Sequence, residues 1–236
     1  MKILVSLLFT FIAISAHADF DKGIEAYRSH DFETALKELE PLAEKGDPRA
    51  QFGLGLMYGR GEGVALNDQI AVKWYSKAAD QGLADAQATM AIRYSQGIGV
   101  PVDKQRALIF AQKGAEQENQ VAELMLGIFY LNGFGIKKDY KKAMELIRKS
   151  AEKGEKGAIA ALGQMFEKGL GTEKNNVVAY ALYKQLNNEQ AQNAIETISE
   201  KMNAIEKESA ATLAADLSQA SNSLYFVDEY LKKTKH

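Results

Sequence analysis

Residues 47–79 read DPRAQFGLGLMYGRGEGVALNDQIAVKWYSKAA, and the same residue types return every 36 positions along the chain. The recurring positions are an aromatic residue, two glycines and an alanine: Tyr58, Tyr94, Tyr130 and Phe166; Gly61, Gly97, Gly133 and Gly169; Gly63, Gly99, Gly135 and Gly171; Ala71, Ala107, Ala143 and Ala179. A fixed period of this length is typical of one small unit copied in tandem, in which each copy buries its apolar face only against its neighbours. The sequence therefore predicts an array, not a compact enzyme domain.

Each copy is predicted to form two helices joined by a glycine turn. In the first copy Ala50, Leu54, Gly55 and Tyr58 share one face of a helix, which we call helix A. Helix A ends at the paired glycines, because glycine tolerates the positive φ of a tight turn. Four positions after the second glycine stands a residue that favours a helix N-cap: Asn67, Asp103, Asp139 or Asn175. These residues predict the start of the second helix of each copy, helix B.

The pattern divides the chain into an array with two flanking regions. Four copies are predicted at residues 47–82, 83–118, 119–154 and 155–190. Before them, residues 19–46 show two shorter helical patterns and are predicted to form a hairpin. After them, residues 191–236 keep a helical pattern without the glycines and are predicted to form capping helices. The predicted fold class is all-α.

The first 18 residues are predicted to be a secretory signal peptide. Lys2 supplies a positive start, residues 3–15 are almost wholly apolar, and Ala16-His17-Ala18 forms a small-x-small cleavage site. The apolar run is shorter than the roughly 20 residues that span a membrane. We therefore expect an exported protein, periplasmic or secreted, with no integral membrane segment after cleavage.

Composition argues against several classes of function. Cleavage after residue 18 would remove Lys2 alone among the 29 Lys and Arg residues, which leaves 28 basic against 31 acidic side chains and no surplus for phosphate binding. Nucleic acid is therefore not an expected partner. The chain has no cysteine, and cleavage would leave two histidines, His30 and His236. We expect no metal site, no cofactor and no thiol nucleophile.

Three strings carry a family resemblance: AQFGLGLMY at residues 50–58, GEGV at 61–64 and AVKWYSKAA at 71–79. They resemble the Sel1-like repeat, a relative of the tetratricopeptide repeat, and the resemblance covers residues 47–190. Residues 19–46 are similar to the tetratricopeptide-like hairpin that opens such proteins. The resemblance implies a right-handed α-solenoid that acts as a monomeric adaptor and holds other proteins on its concave face. The fourth copy departs from the pattern at Thr172 and at Leu186-Asn187.

If the copies stack as tetratricopeptide relatives do, helix A presents one row of side chains to the concave face. The predicted partner-binding groove consists of Arg49, Phe52, Leu56, Arg60, Ile92, Gln96, Leu124, Ile128, Leu131, Asn132 and Lys168. Its middle is apolar and its edge is polar or basic, which is typical of a surface that binds a peptide. An alternative for Phe52, Ala88 and Leu124 is that they are core residues between helices.

Catalytic motifs have weaker support. The Gly-x-Gly sequences lie between predicted helices in all four copies, whereas a dinucleotide fingerprint follows a strand and occurs once. Ser150-x-x-Lys153 matches the nucleophile motif of penicillin-binding enzymes, but the companion motifs are missing and Ser150 replaces the small residue Ala78 of the first copy. The sequence predicts a non-catalytic interaction scaffold that binds a protein or peptide. The alternatives are a cell-envelope hydrolase, β-lactamase-like or peptidoglycan-acting, and a structural component of an envelope complex.

Overall fold

The computed structural model describes residues 19–219 and 224–234, and within these ranges it contains helices and turns but no β-strand. The helices are α1 (residues 19–28), α2 (Phe32–Glu44), α3 (Pro48–Arg60), α4 (Asp68–Asp80), α5 (Ala84–Gln96), α6 (Lys104–Glu116), α7 (Gln120–Asn132), α8 (Tyr140–Glu152), α9 (Lys156–Lys168), α10 (Asn176–Tyr183), α11 (Glu189–Ser199), α12 (Ala204–Gln219) and α13 (Leu224–Lys233). The predicted signal peptide and His236 lie outside the described residues. The chain forms two compact units, the first ending at Gly114 and the second beginning at Ala115.

The 36-residue period governs where the helices begin. The A helices α3, α5, α7 and α9 start at residues 48, 84, 120 and 156, and each has 13 residues. The B helices start at residues 68, 104, 140 and 176. The last of them, α10, has 8 residues and ends at Tyr183, before the Leu186-Asn187 pair at which the sequence departs from the other copies.

Side chains cap most of these helices, as the N-cap residues predict. The Asp47 carboxylate accepts hydrogen bonds from the backbone N–H groups of Arg49 and Ala50, and the Asn67 amide oxygen accepts one from Ile70. Asn119, Asp139 and Asn175 cap their helices in the same way. Leu83 offers no side-chain cap, yet α5 begins directly after it. Packing of α5 against α4 therefore forms this helix start without help from a cap.

The two glycines of each turn have different tasks. The first ends helix A in the left-handed conformation, as at Gly97 with φ +75°. The second also has positive φ and touches the start of the preceding B helix. A Cβ on Gly99 would lie 2.4 Å from the carbonyl oxygen of Asp68, and a Cβ on Gly171 would lie 2.5 Å from that of Tyr140. Because Asp68 and Tyr140 are the first residues of α4 and α8, the second glycine joins neighbouring hairpins at a backbone contact that no side chain permits.

Within a hairpin, a small residue on helix A faces a larger one on helix B. A Cβ on Gly55 would lie 2.5 Å from the ring of Tyr75, one on Gly127 would lie 2.6 Å from Cγ1 of Ile147, and one on Gly163 would lie 2.8 Å from the ring of Tyr183. The second repeat has alanine at both equivalent positions, 91 and 111, and both alanines are buried. The size of this residue pair therefore differs from one hairpin to the next, while both positions stay buried.

In each unit a polar pair within one hairpin, with one member buried, also contacts the end of the preceding hairpin. In the first unit, Nε2 of Gln81 donates to the side-chain oxygen of Gln51 at 2.8 Å and to the Gly46 carbonyl at 3.0 Å. The second unit has an ion pair in the same place, 72 positions later. Nζ of Lys153 donates to the Glu123 carboxylate at 2.8 and 2.9 Å and to the Glu118 carbonyl at 2.7 Å. The pair thus gives the buried side chain of Gln51 or Glu123 a polar partner and ties its hairpin to the one before.

The C-terminal helices close the core of the second unit. Helix α12 packs on α10, and Nε2 of Gln185 donates to the Ala214 carbonyl at 3.1 Å. Leu224 and Val227 of α13 are buried in the same core, and Asp228 accepts a hydrogen bond from the guanidinium of Arg148 on α8. The last helix thus covers apolar surface that an unterminated array would leave exposed.

Gly99→Ala is expected to destabilise the protein more than Gly82→Ala. Both glycines have positive φ, +74° and +90°, so each alanine strains the backbone by about 1–2 kcal/mol. At residue 99 the new Cβ would also overlap the Asp68 carbonyl, whereas nothing lies within 4 Å of a Cβ on Gly82. We therefore expect the free energy of unfolding to fall by at least about 1 kcal/mol more for Gly99→Ala than for Gly82→Ala. Urea denaturation followed by circular dichroism measures both free energies of unfolding, and equal losses would contradict the backbone contact.

Gly127→Ala and Ile147→Ala are each expected to destabilise the second unit but to compensate one another. The first overlaps Cγ1 of Ile147 and should cost about 1–3 kcal/mol. The second leaves a cavity and should cost about 2–5 kcal/mol. The double variant reproduces the Ala91 and Ala111 pair of the second repeat. Its loss of free energy of unfolding should therefore be smaller than the sum of the two single losses by about 0.5–3 kcal/mol. A double-mutant cycle in urea measures the difference, and simple additivity would refute the pairing.

Candidate functional site

The first unit contains an apolar groove of about 430 Å³ between helices α1 and α3. Its apolar lining comes from α1, α2, α3 and the residue before α5: Phe20, Ile24, Leu39, Phe52, Leu56 and Leu83. Its polar lining is Tyr27, Arg28, Arg49 and Asp85. The groove thus combines a broad apolar floor with a few charged groups, which is the usual composition of a site that binds a peptide side chain.

Gly53 lines this groove at a position where the other copies carry a side chain. A Cβ on Gly53 would be 3.2 Å from Cδ1 of Leu39, so α3 approaches α2 closely at this point. The other copies have Thr89, Met125 and Ala161 at the equivalent position. Glycine therefore allows a close approach of α3 to Leu39 that a side chain would disturb.

Arg49 and Arg28 give the groove a basic rim. The guanidinium of Arg49 lies 4.1 Å from the ring centroid of Phe20 and 3.2 Å from the carboxylate of Asp47, so two contacts hold it in place. Arg28 is exposed and forms no ion pair with any residue that the structure describes. A guanidinium without a carboxylate partner beside an apolar floor favours an acidic group in whatever binds there.

Tyr27 connects the groove to the first glycine turn. Its hydroxyl donates to the carboxylate of Glu62 and accepts a hydrogen bond from Nη1 of Arg60 at 2.7 Å. Burial raises the pKa of Tyr27, and the hydrogen bond to Glu62 raises it further. The hydroxyl therefore stays protonated at neutral pH and keeps donating to Glu62.

The structure brings three of the predicted groove residues together: Arg49, Phe52 and Leu56. Arg60 lies next to them through its hydrogen bond to Tyr27. Phe52 is half-buried, and its ring centroid lies 5.5 Å from that of Tyr75, so it contributes to both the core and the groove.

The other predicted residues do not line this groove. Ile92 is half-buried and Gln96 is exposed on α5. In the second unit, Leu124 and Leu131 are only 8 % and 9 % exposed and belong to the core, which favours the core alternative for Leu124. Ala88 is also buried. Ile128 packs against the core, Asn132 is exposed, and Lys168 lines a separate depression between α9 and α11.

The repeat pattern does not predict the part of the groove that comes from α1. Phe20, Ile24 and Tyr27 are spaced by four and three residues, so they share one face of that helix. This spacing is the signal in the sequence for the α1 side of the groove. Residues 19–46 lie before the repeated pattern, so comparison of the copies does not indicate a groove there.

The structure gives Ser150 and Lys153 structural contacts. Ser150 is 0 % exposed, and its Oγ donates to the Gln120 carbonyl at 2.7 Å. The ammonium of Lys153 pairs with Glu123. The hydroxyl thus has no access to a substrate, and the lysine is engaged with a carboxylate.

Among the described residues, no three His, Asp or Glu side chains come together as a metal site would require. None of the described helices combines the length and the apolar character needed to cross a bilayer.

Comparison with known proteins identifies the repeat. The family model for the Sel1 repeat matches residues 48–83, 84–119, 120–155 and 157–187. A solved Sel1 repeat protein from Oxalobacter formigenes is 30 % identical, with a TM-score of 0.62 over 84 % of this chain and 55 % of its own. A protective antigen present in uropathogenic Escherichia coli strains, with an SLR fold, is 27 % identical, with a TM-score of 0.66 over 98 % of this chain and 56 % of its own. This chain therefore spans little more than half the length of either. No curated protein matches the chain.

Lys153→Ala is expected to destabilise the second unit, because it removes the ion-pair partner of Glu123, which is 3 % exposed. Lys153 itself is about one-third exposed, so we expect a loss of about 1–3 kcal/mol, below the range for a fully buried pair. The double variant Glu123→Gln with Lys153→Gln copies the Gln51 and Gln81 pair, so its free energy of unfolding should fall less than that of Lys153→Ala. Urea denaturation measures the free energy of unfolding of both variants. A Lys153→Ala protein as stable as the parent would mean that the pair is not structural.

Proposed function

The chain belongs to the Sel1 repeat family, and on that premise we propose that it is an exported, non-catalytic scaffold that binds a protein or peptide segment on the concave face predicted for its A helices. The four matched repeats confirm the predicted family, and the helical structure with its 36-residue period confirms the predicted class of α-solenoid. Sel1 repeat proteins generally serve as scaffolds for protein interactions.

The groove of the first unit is the observation that carries this proposal. Its volume of about 430 Å³ falls within the roughly 300–1,000 Å³ of ligand pockets, and Phe20, Phe52 and Leu56 provide apolar surface for one or two inserted side chains. Arg28 and Arg49 stand at its rim, with Asp85 as the acidic group among the lining residues. We therefore infer a partner segment that inserts an apolar side chain and carries a carboxylate beside it.

Export is supported by the pattern of residues 1–18 and by one relative. The solved protein from Escherichia coli that covers most of this chain is described as a protective antigen. That description fits a protein delivered to the cell envelope or beyond. The predicted groove residues Ile92 and Gln96 on α5 remain part of the proposal in the first unit. Ile128, Asn132 and Lys168 remain candidate binding residues on the A helices of the second unit.

Leu56→Asp is expected to weaken peptide binding at least about 10-fold, because it places a charge on the apolar floor of the groove. Peptides selected by display against the mature protein provide the ligand, and isothermal titration calorimetry measures Kd. Leu66→Asp is the matched control, since Leu66 is 64 % exposed in the same unit and does not line the groove. Ile92→Asp tests whether the site extends onto α5. Circular dichroism checks that each variant keeps its helical content.

Three results would overturn the proposal. Equal affinities for the Leu56→Asp and Leu66→Asp proteins would mean that the peptide does not use the groove. Turnover of muropeptide or β-lactam substrates that disappears on Ser150→Ala would favour the envelope hydrolase. Cross-linking in the native cell that always recovers one assembly of fixed stoichiometry would favour a structural component of an envelope complex.

A further inference from the structure

A basic patch covers the end of the turn after α7 and the first turn of α8 in the second unit. It consists of Lys137, Lys138, Lys141 and Lys142, which are all exposed, and of Tyr140, whose side chain is 39 % exposed in their midst. We call these five residues the lysine patch. Tyr130 and Gly133 at the end of α7 position part of it. Nζ of Lys142 lies 5.3 Å from the ring centroid of Tyr130, and the side chain of Lys138 packs against Gly133.

None of the four lysines forms an ion pair with a residue that the structure describes. The one carboxylate within the segment, Asp139, accepts a hydrogen bond from the backbone N–H of Lys142 at 3.0 Å and so caps α8. Glu145, one turn later, pairs with Lys149 at 3.1 Å. Glu173 stands in the next glycine turn, whose Gly171 touches Tyr140, and it is exposed without an ion pair to the patch. The patch therefore keeps a local excess of positive charge.

The other repeats show that the fold does not require these lysines. At the positions of Lys137 and Lys138 they have Ala65 and Leu66, Pro101 and Val102, and Glu173 and Lys174. At those of Lys141 and Lys142 they have Gln69 and Ile70, Gln105 and Arg106, and Val177 and Val178. The position of Tyr140 holds Asp68, Lys104 or Asn176. One repeat thus concentrates four lysines and an exposed aromatic ring where its copies have no such set.

The location of two of these lysines is electrostatically unfavourable for the isolated helix. Lys141 and Lys142 lie in the first turn of α8, which has no acidic residue. The helix dipole disfavours cations at an N-terminus, and like charges in neighbouring positions repel one another. The Asp139 carboxylate at the N-cap offsets part of this charge, and the described residues offer the four lysines no ion-pair partner. An anionic surface of another molecule would neutralise the rest.

We propose that the lysine patch docks the protein onto an anionic phospholipid surface. The lysines bind headgroup phosphates, and Tyr140 enters the interfacial layer, where its apolar ring and polar hydroxyl are both accommodated. An exposed tyrosine flanked by lysines favours a lipid surface over an acidic protein segment, because the ring matches the boundary between headgroups and acyl chains. The patch belongs to the second unit and the groove residues belong to the first, so the two proposed sites share no residue.

Cosedimentation of the mature protein with vesicles tests the proposal. Vesicles of phosphatidylglycerol and phosphatidylethanolamine should bind it, vesicles of phosphatidylcholine alone should not, and added salt should weaken the binding. Replacing Lys137, Lys138, Lys141 and Lys142 together by Gln should lower the apparent affinity on the order of 100-fold. Tyr140→Ser should weaken binding while leaving its salt dependence in place.

The matched control replaces Lys156, Lys184, Lys201 and Lys207 by Gln. These lysines are exposed in the same unit, and Lys184 also lies over a tyrosine ring, at 5.7 Å from the centroid of Tyr180. The control changes the net charge equally and should bind vesicles like the parent. Equal loss in both variants would overturn the proposal, because attraction would then depend on total charge. So would absence of vesicle binding, including the case in which the protein binds polyglutamate instead.

Discussion

The contact between the second glycine of a turn and the first residue of the preceding B helix is the constraint on which the array depends. At Gly99 and Gly171 the backbone comes so close to the carbonyls of Asp68 and Tyr140 that a Cβ would overlap them. Such a contact fixes the distance between consecutive hairpins within each unit, since backbone positions cannot relax as side chains do. The period of 36 residues is the length of chain needed to return to this contact.

Once this spacing is set, paired residues within a hairpin differ from copy to copy. A large residue at 75, 147 or 183 faces glycine at 55, 127 or 163, whereas the second repeat has two buried alanines at these positions. The Gln51 and Gln81 pair becomes an ion pair between Glu123 and Lys153 at the same place in a later hairpin. In the polar pair the buried side chain keeps a hydrogen-bond partner while the residues change, as the cost of unpaired buried polar groups requires.

Departures from the repeat identify where interactions with other molecules are favoured. Gly53 lines the groove at a position where the other copies carry Thr89, Met125 and Ala161, and α1 adds Phe20, Ile24 and Tyr27 to the lining. The lysine patch similarly combines four lysines and an exposed tyrosine that no other copy has together. Each copy provides an internal reference for what packing demands, so a residue that packing does not explain is a candidate for binding. Ser150 fails this test, because its hydroxyl bonds to the Gln120 carbonyl within the core.

The sequence alone determined the period, the helix starts and the repeat family, because these follow from local chemistry: positive φ at glycine, capping by Asn and Asp, and apolar spacing along one helix. It also identified Arg49, Phe52 and Leu56 as members of one face. Tertiary structure decided which members are accessible. Leu124 and Leu131 share a helical face with Ile128 but are buried, and α1 supplies much of the groove. Helical spacing gives the direction of a side chain but not what lies against it, since burial depends on residues distant in the chain that only packing brings together.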